Sequence, residues 1–287
     1  MKIGFIGLGS LGTPIAINLQ ESGHMLYVYN RTKSKTQPLT SKGAVGCESI
    51  AALAKECKIV FSIVSDDAAL KSISEGNDGL INNLEKGSIH ISMSTILPQT
   101  AKDLSELHTQ QQQHYISAPV FGRPEMAMAR KLNFVYSGDQ AIRSEIEPLL
   151  QNAGASGVWD FGNDVMAANT VKLCGNFLIA SMLESIGESV NLAKKSNVDP
   201  QKMWDMLTQT LFNVPLYKNY SNIVIQQKFT PPAFTAKLGL KDMKLVLEQA
   251  SIVNNSMPLA ELLRNNMQKL VDSGKAELDW SAVSMSQ

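Results

Sequence analysis

An α/β domain followed by an all-helical one is the architecture the sequence predicts, and three observations carry that expectation. Short apolar runs alternate with helix-length amphipathic segments from residue 2 to about residue 151; a glycine-rich turn follows the first run; and from residue 164 onward only long helical periodicity remains. Alternation of that kind argues for a parallel sheet with helices on both faces. The boundary is read at the glycine-containing stretch 154–162, which gives domains of 1–162 and 163–287.

Residues 2–6 read as a short buried strand, 7–12 as the turn, 14–22 as its helix and 25–29 as the second strand. A helix at 49–55, a strand at 59–64, a helix at 68–74, a strand at 88–92, a helix at 98–110 and a short strand at 115–116 continue the rhythm, and 133–137 and 141–151 add a further strand and helix. The glutamines at 110–113 read as a solvated helix end. In the second domain helices are expected over 165–197, 200–211, 237–254 and 258–273, with a break at Pro231 and Pro232.

A chain of 287 residues holds two hydrophobic cores without a disulfide or metal staple. Its 26 basic and 26 acidic residues cancel, so no charge bias steers it to nucleic acid or to an anionic membrane, and small molecules and copies of itself are the expected partners. Cys47, Cys57 and Cys174 form no CxxC pair, and His24, His90, His108 and His114 have no ligand spacing, so no metal is expected. The chain shows neither a signal-type apolar region nor an uncharged apolar span of about 18 residues, and a cytoplasmic location is the expectation.

The strongest local signal is Gly7-Leu8-Gly9-Ser10-Leu11-Gly12, because it follows an apolar strand and opens a helix. In a Rossmann unit the first glycine permits the tight turn, the second lets the backbone approach a pyrophosphate, and the third lets helix and strand pack closely. An NAD enzyme usually places an acid about 20 residues further on, for the ribose hydroxyls. Here that region reads Asn30-Arg31-Thr32-Lys33-Ser34-Lys35, with three bases and no acid. Arg31 over an adenine 2′-phosphate, with Thr32 and Lys35 on its oxygens, is one reading, and it favours NADPH over NADH. A solvated turn is the other.

Further on, Val165, Ala168, Lys172, Asn176, Ile179, Leu183, Ile186 and Val190 share one helix face, on which Lys172 and Asn176 interrupt an apolar stripe. The pair reads equally as a snorkelling lysine beside a packing amide, or as a proton donor and a positioning amide one turn apart. Trp159 and Trp204 read as packing residues.

Taken together these residues resemble the β-hydroxyacid dehydrogenase family, which includes 3-hydroxyisobutyrate dehydrogenases, tartronate, glyoxylate and succinic semialdehyde reductases and, more distantly, 6-phosphogluconate dehydrogenases. The likeness covers nearly the whole chain. It runs from the glycine turn through Asn30-Arg31-Thr32, Ser94-Thr95-Ile96-Leu97-Pro98, and Lys172 with Asn176, to 234–242, Phe-Thr-Ala-Lys-Leu-Gly-Leu-Lys-Asp. The resemblance implies an NADP(H)-dependent oxidoreductase moving a hydride between nicotinamide and a small β-hydroxy acid or its aldehyde or keto acid counterpart. It implies Lys172 as acid/base and Asn176 orienting the substrate oxygen. Ser94, Thr95 and Gly122 line the substrate, Val64 and Thr95 the cofactor, and Lys241 reaches the cleft with Asp242 as its support. A homodimer through the helical domain is also implied.

The substrate loop departs from the family's usual Asp-Ala-Pro-Val-Ser-Gly-Gly: here 117–124 reads Ser-Ala-Pro-Val-Phe-Gly-Arg-Pro. Arg123 reads as a new grip on a carboxylate or as a surface residue of the loop, and Phe121 as a ring that narrows or dries the pocket. Gly175 stands where the family often has another asparagine. An imine reductase of the same architecture and a non-catalytic NADP-binding interaction protein are the alternatives; retention of Lys172 speaks against the first, which the altered Phe121 loop keeps open, and the presence of Lys172, Asn176 and Lys241 together speaks against the second.

Overall fold

The computed structural model describes residues 1–285, which fall into two compact units, Met1–Lys172 and Leu173 onward. In the first unit nine strands are present: β1 Lys2–Ile6, β2 Met25–Tyr29, β3 Val45–Gly46, β4 Ile59–Ser62, β5 Ile89–Ser92, β6 His114–Ser117, β7 Val120–Phe121, β8 Leu132–Gly138 and β9 Ala155–Asp160. Their order is β3-β2-β1-β4-β5-β6-β8-β7, with β9 on β8. The first six are mutually parallel.

The order reverses between β1 and β4, so the chain winds outward in one direction to β3 and in the other to β6. Ligands of such sheets bind beyond the carboxyl ends of the strands at that reversal. The sequence dictates this half through its apolar runs: Ile3 and Phe5 of β1, Val28 of β2 and Phe61 of β4 are fully buried, with Ile15, Ala16 and Leu19 of the helix Gly12–Glu21 in the same core. Each large side chain so buried contributes about 1.5–3 kcal/mol.

Beyond β6 the sheet is no longer parallel. β6 and β7 follow one another closely and both pair antiparallel with β8, because the chain turns straight back through the short helix Pro124–Met128 instead of crossing over the sheet. β9 then runs parallel to β8, where the sequence reads only as a glycine-containing stretch. The helix Met166–Lys195 starts two turns before the first unit ends.

A polar chain is buried beneath the parallel strands. Gln113 gives its amide nitrogen to the carbonyls of Ile81 and Leu84, so its oxygen accepts from Nδ1–H of His108 at 2.8 Å. Nε2 of His108 therefore accepts from Nδ1–H of His90 at 3.1 Å, and Nε2 of His90 accepts from the Ser62 hydroxyl at 2.7 Å. Both imidazoles are neutral: burial holds His90 well below the ordinary histidine range and lowers His108 to about 4.

The second unit is helical: the remainder of Met166–Lys195, then Pro200–Gln209, Pro215–Gln226, Ala236–Ile252 and Pro258–Leu270, closed by the short helical turn Trp280–Met285. Proline at the first helical position starts three of them. The helix at Pro215–Gln226 lies where the sequence shows only a proline-broken stretch. Phe229, Ala236, Leu270 and Ala282 form a core cluster, and Trp280 donates its indole N–H to Tyr220 at 2.9 Å. Among the described residues one helix, Met166–Lys195, is long and apolar enough to cross a membrane by length and composition. Its Ala180, Leu183, Ile186 and Val190 are buried inside the protein, as is Glu184, which accepts from Asn266.

Candidate active site

The three turn glycines answer to different demands. Gly7 has φ +100°, and a Cβ there would lie 2.0 Å from the carbonyl oxygen of Ile63; a Cβ at Gly12 would lie 2.0 Å from the carbonyl oxygen of Gly7. Chain packing alone therefore requires both. A Cβ at Gly9 would meet nothing within 4 Å, so no part of the protein requires that glycine, and the open space over it fits a pyrophosphate lying on the backbone. The helix Gly12–Glu21 has no side-chain cap at its N-terminus, which leaves its first N–H groups suited to an anion. Leu8 is buried while Ser10 is exposed and Leu11 half-buried.

Asn30 serves this turn directly. Its Oδ1 accepts the Leu8 N–H at 2.9 Å, and its Nδ2 donates to the Thr32 carbonyl at 2.9 Å. The amide thus pins the turn to the end of β2. Arg31, Thr32 and Lys35 are exposed. Lys33 is paired with Glu48, whereas Arg31 and Lys35 form no ion pair among the described residues. Arg31 and Lys35 follow β2, where this fold places an adenine ribose.

The remaining first-unit candidates lie beyond the carboxyl ends of neighbouring parallel strands: Val64 after β4, Ser94 and Thr95 after β5, and, past β6, Phe121 at the end of β7 with Gly122 and Arg123 following it. Ser94 is buried, and its Oγ accepts the Val64 N–H at 2.9 Å, joining two strand ends; Thr95 is half-buried. Gly122 has φ +145°, and a Cβ there would sit 2.4 Å from Leu132 Cδ2, so a side chain at this position is strained. Arg123 is engaged by Glu125 at 3.0 Å.

Lys172 is brought to the same edge by residues that carry no motif of their own. Asn169, one turn earlier, donates to Ser117 Oγ at 3.3 Å and accepts the Ile96 N–H at 3.4 Å. The Ser137 hydroxyl donates to the Val165 carbonyl at 3.2 Å and accepts the Ala168 N–H at 3.0 Å. These bonds fix the start of the long helix on β6 and β8. The Lys172 ammonium then stands 4.1 Å from the centroid of the Phe121 ring. The only available signal for Asn169 was its position three residues before Lys172.

In the second unit Asn176 donates to Asp242 Oδ2 at 2.5 Å, and Lys241 pairs with Oδ1 of the same carboxylate at 2.7 Å. Asp242 is 1 % exposed, so the carboxylate is buried and both of its oxygens are engaged. Among the described residues there is no group of three His, Cys, Asp or Glu side chains arranged to hold a metal.

Residues 2–168 match the NAD binding domain of 6-phosphogluconate dehydrogenase, and residues 167–285 match the NAD-binding family of NADP-dependent 3-hydroxyisobutyrate dehydrogenase. The chain belongs to the β-hydroxyacid dehydrogenase family. Among its relatives are the uncharacterized oxidoreductase YfjR of Bacillus subtilis, 38 % identical over 99 % of this chain and 98 % of that one, and glyoxylate/succinic semialdehyde reductase 1 of Arabidopsis thaliana, 30 % identical over 99 % and 97 %. The solved structure of Psf3 in complex with NADP+ and 2-OPP superposes with a TM-score of 0.88 at 25 % identity, covering 99 % of each chain. As a β-hydroxyacid dehydrogenase the protein is an NAD(P)-dependent oxidoreductase.

Proposed function

We propose that this family member is an NADPH-preferring reductase of small carboxylated aldehydes or keto acids, reversible to the hydroxy acid, with Lys172 as its acid/base group. One observation carries the reading. Lys172, the glycine turn, Val64, Ser94 and the loop after β6 all stand at the carboxyl edge of the parallel strands within one unit, where a dinucleotide-binding sheet does its chemistry.

Gly7 to Gly12 would cradle the pyrophosphate, and Arg31, Thr32 and Lys35 the 2′-phosphate that distinguishes NADPH. When bound, the nicotinamide supplies or accepts the hydride. In the reducing direction Lys172 gives a proton to the substrate's carbonyl oxygen, or holds the charge developing there. Ser94, by tying β5 to β4, keeps Val64 and Thr95 in place beside the reacting groups. Asn176 and Lys241 are assigned to the substrate side by the family resemblance, with Asp242 restraining both. Arg123 carries less weight as a carboxylate grip, since Glu125 already partly neutralises it.

The test is the initial rate of NADPH and NADH oxidation with glyoxylate, succinic semialdehyde, methylmalonate semialdehyde and tartronate semialdehyde, for the wild type and Lys172→Ala. A carbonyl-dependent rate that falls by about 100- to 10,000-fold in the variant, with NADPH binding retained, supports the reading. Turnover of a cyclic imine alone, or undiminished turnover by Lys172→Ala, overturns it.

A further inference from the structure

We infer that Phe121 is a positioning residue for Lys172: the face of its ring holds the ammonium where the substrate oxygen is protonated, and so governs turnover more than affinity. The inference rests on the reading of Lys172 as the acid/base group, and it assigns the departure in the substrate loop a role other than substrate contact.

The contact lies well inside the range of a cation–π interaction, which extends to about 6 Å between the cation and the ring centroid, against 4.1 Å here. Phe121 and Lys172 are both half-buried, and such an attraction strengthens as water is removed.

Both partners are mounted rigidly. Phe121 pairs with Asn133 across β7 and β8, its neighbour Val120 is buried, and the next residue, Gly122, holds a φ of +145° that strains any side chain. On the other side, Asn169 and Ser137 fix the first turns of the lysine's helix. The flexible part that remains is the four-carbon lysine stem, and the ring restricts it.

The choice of a ring has a chemical consequence. A carboxylate in that place would hold the ammonium equally well, but it would repel an anionic substrate and compete for the proton. The ring face carries no net charge and takes no proton, so it stabilises the cation without either penalty. A serine hydroxyl at this position would give neither the quadrupole nor the restraint.

The experiment compares Phe121→Leu and Phe121→Tyr with the wild type and with Lys172→Ala, after circular dichroism and thermal melts show that each is folded. Two readouts are taken. The first is kcat and KM separately; the second is the NMR signal of the Lys172 ε-methylene in protein labelled with 13C-lysine and free of cofactor, identified by its loss in Lys172→Ala. Phe121→Leu is expected to lower kcat by about 3- to 30-fold with KM changed by less than about twofold, and Phe121→Tyr to restore kcat to within about twofold. The ring displaces the ε-methylene signal upfield in the wild type and in Phe121→Tyr, and the displacement disappears in Phe121→Leu. A change confined to KM, an equal loss in Leu and Tyr, or a lysine signal indifferent to the ring overturns the inference. Undiminished activity in Lys172→Ala instead sinks the reading of Lys172 itself, so the two failures are distinct.

Discussion

Asn176 donates its side-chain amide to the buried carboxylate of Asp242 across 2.5 Å, and Lys241 takes the other oxygen of that carboxylate. Two polar residues from helices far apart in sequence are thereby held by one acid, and their orientations depend on each other through it.

Removal of that acid is therefore costly. Asp242→Ala deletes the shared acceptor and is expected to lower unfolding stability by about 2–4 kcal/mol in urea titrations, with most of the loss from the buried Asn176 side. Lys241 is partly solvated, which moderates its share. A cycle of Asn176→Ala and Asp242→Asn should show a coupling of at least about 0.5 kcal/mol, as neighbours in one network do. Additive losses would show that the two side chains act independently.

The glycine turn separates fold from ligand. Gly7→Ala and Gly12→Ala each drive a Cβ to 2.0 Å from a carbonyl oxygen, and both should lower the melting temperature sharply, because backbone has to move. Gly9→Ala should melt like the wild type, since its added Cβ enters open space, yet bind NADPH at least about tenfold more weakly because the backbone no longer meets a pyrophosphate. Fluorescence titration of the cofactor beside a thermal melt reads both. Unchanged NADPH affinity in Gly9→Ala would remove the cofactor from this turn.

The turn was legible in the sequence because its logic is local: six residues at fixed spacing, between a strand and a helix that also read clearly. β9 was not, because its residues are half-buried or exposed and include Gly157, so no alternation marks it. β7 is two residues long and follows Pro119, too little for any period to register. In the site, Lys172 and Asn176 stood out as polar breaks in an apolar stripe. What holds them did not: Ser117, Ser137 and Asp242 lie 31 to 66 residues away in sequence from the partners they meet, and sequence spacing carries no information at that range. Phe121 was visible as a departure, but only the fold puts its ring under Lys172.

Cofactor choice should follow Arg31 and Lys35 after β2. Arg31→Ala and Lys35→Ala are each expected to weaken NADPH binding by about 10-fold or more while leaving NADH nearly unaffected, since only the former carries the 2′-phosphate. The NADPH affinity of the wild type should also fall more steeply with salt than its NADH affinity. Equal losses for both cofactors would place the two cations elsewhere than at the 2′-phosphate.

Acid should destabilise the first unit through its buried histidines. His108 is held neutral by burial with its folded pKa near 4, against about 6.5 when unfolded, and His90 is depressed further. The sign follows from proton counting: below about pH 6.5 the unfolded chain binds protons that the folded chain refuses, so stability is fully present above that pH and drains away as pH falls toward 4. His108 alone should account for a loss of about 2 kcal/mol between pH 7.5 and pH 5, a window above most carboxylate titration. The directional chain explains why the folded state refuses: protonation at Nε2 of His108 would put a hydrogen against the Nδ1–H of His90, and protonation of His90 would meet the Ser62 hydroxyl hydrogen. Urea unfolding followed across that window tests this; His24, also lowered by burial, adds to the loss in the same direction. A free energy of unfolding that stays level from pH 7.5 to 5 would mean that the buried pair admits a proton, and the tautomers deduced from Gln113 would have to be reversed.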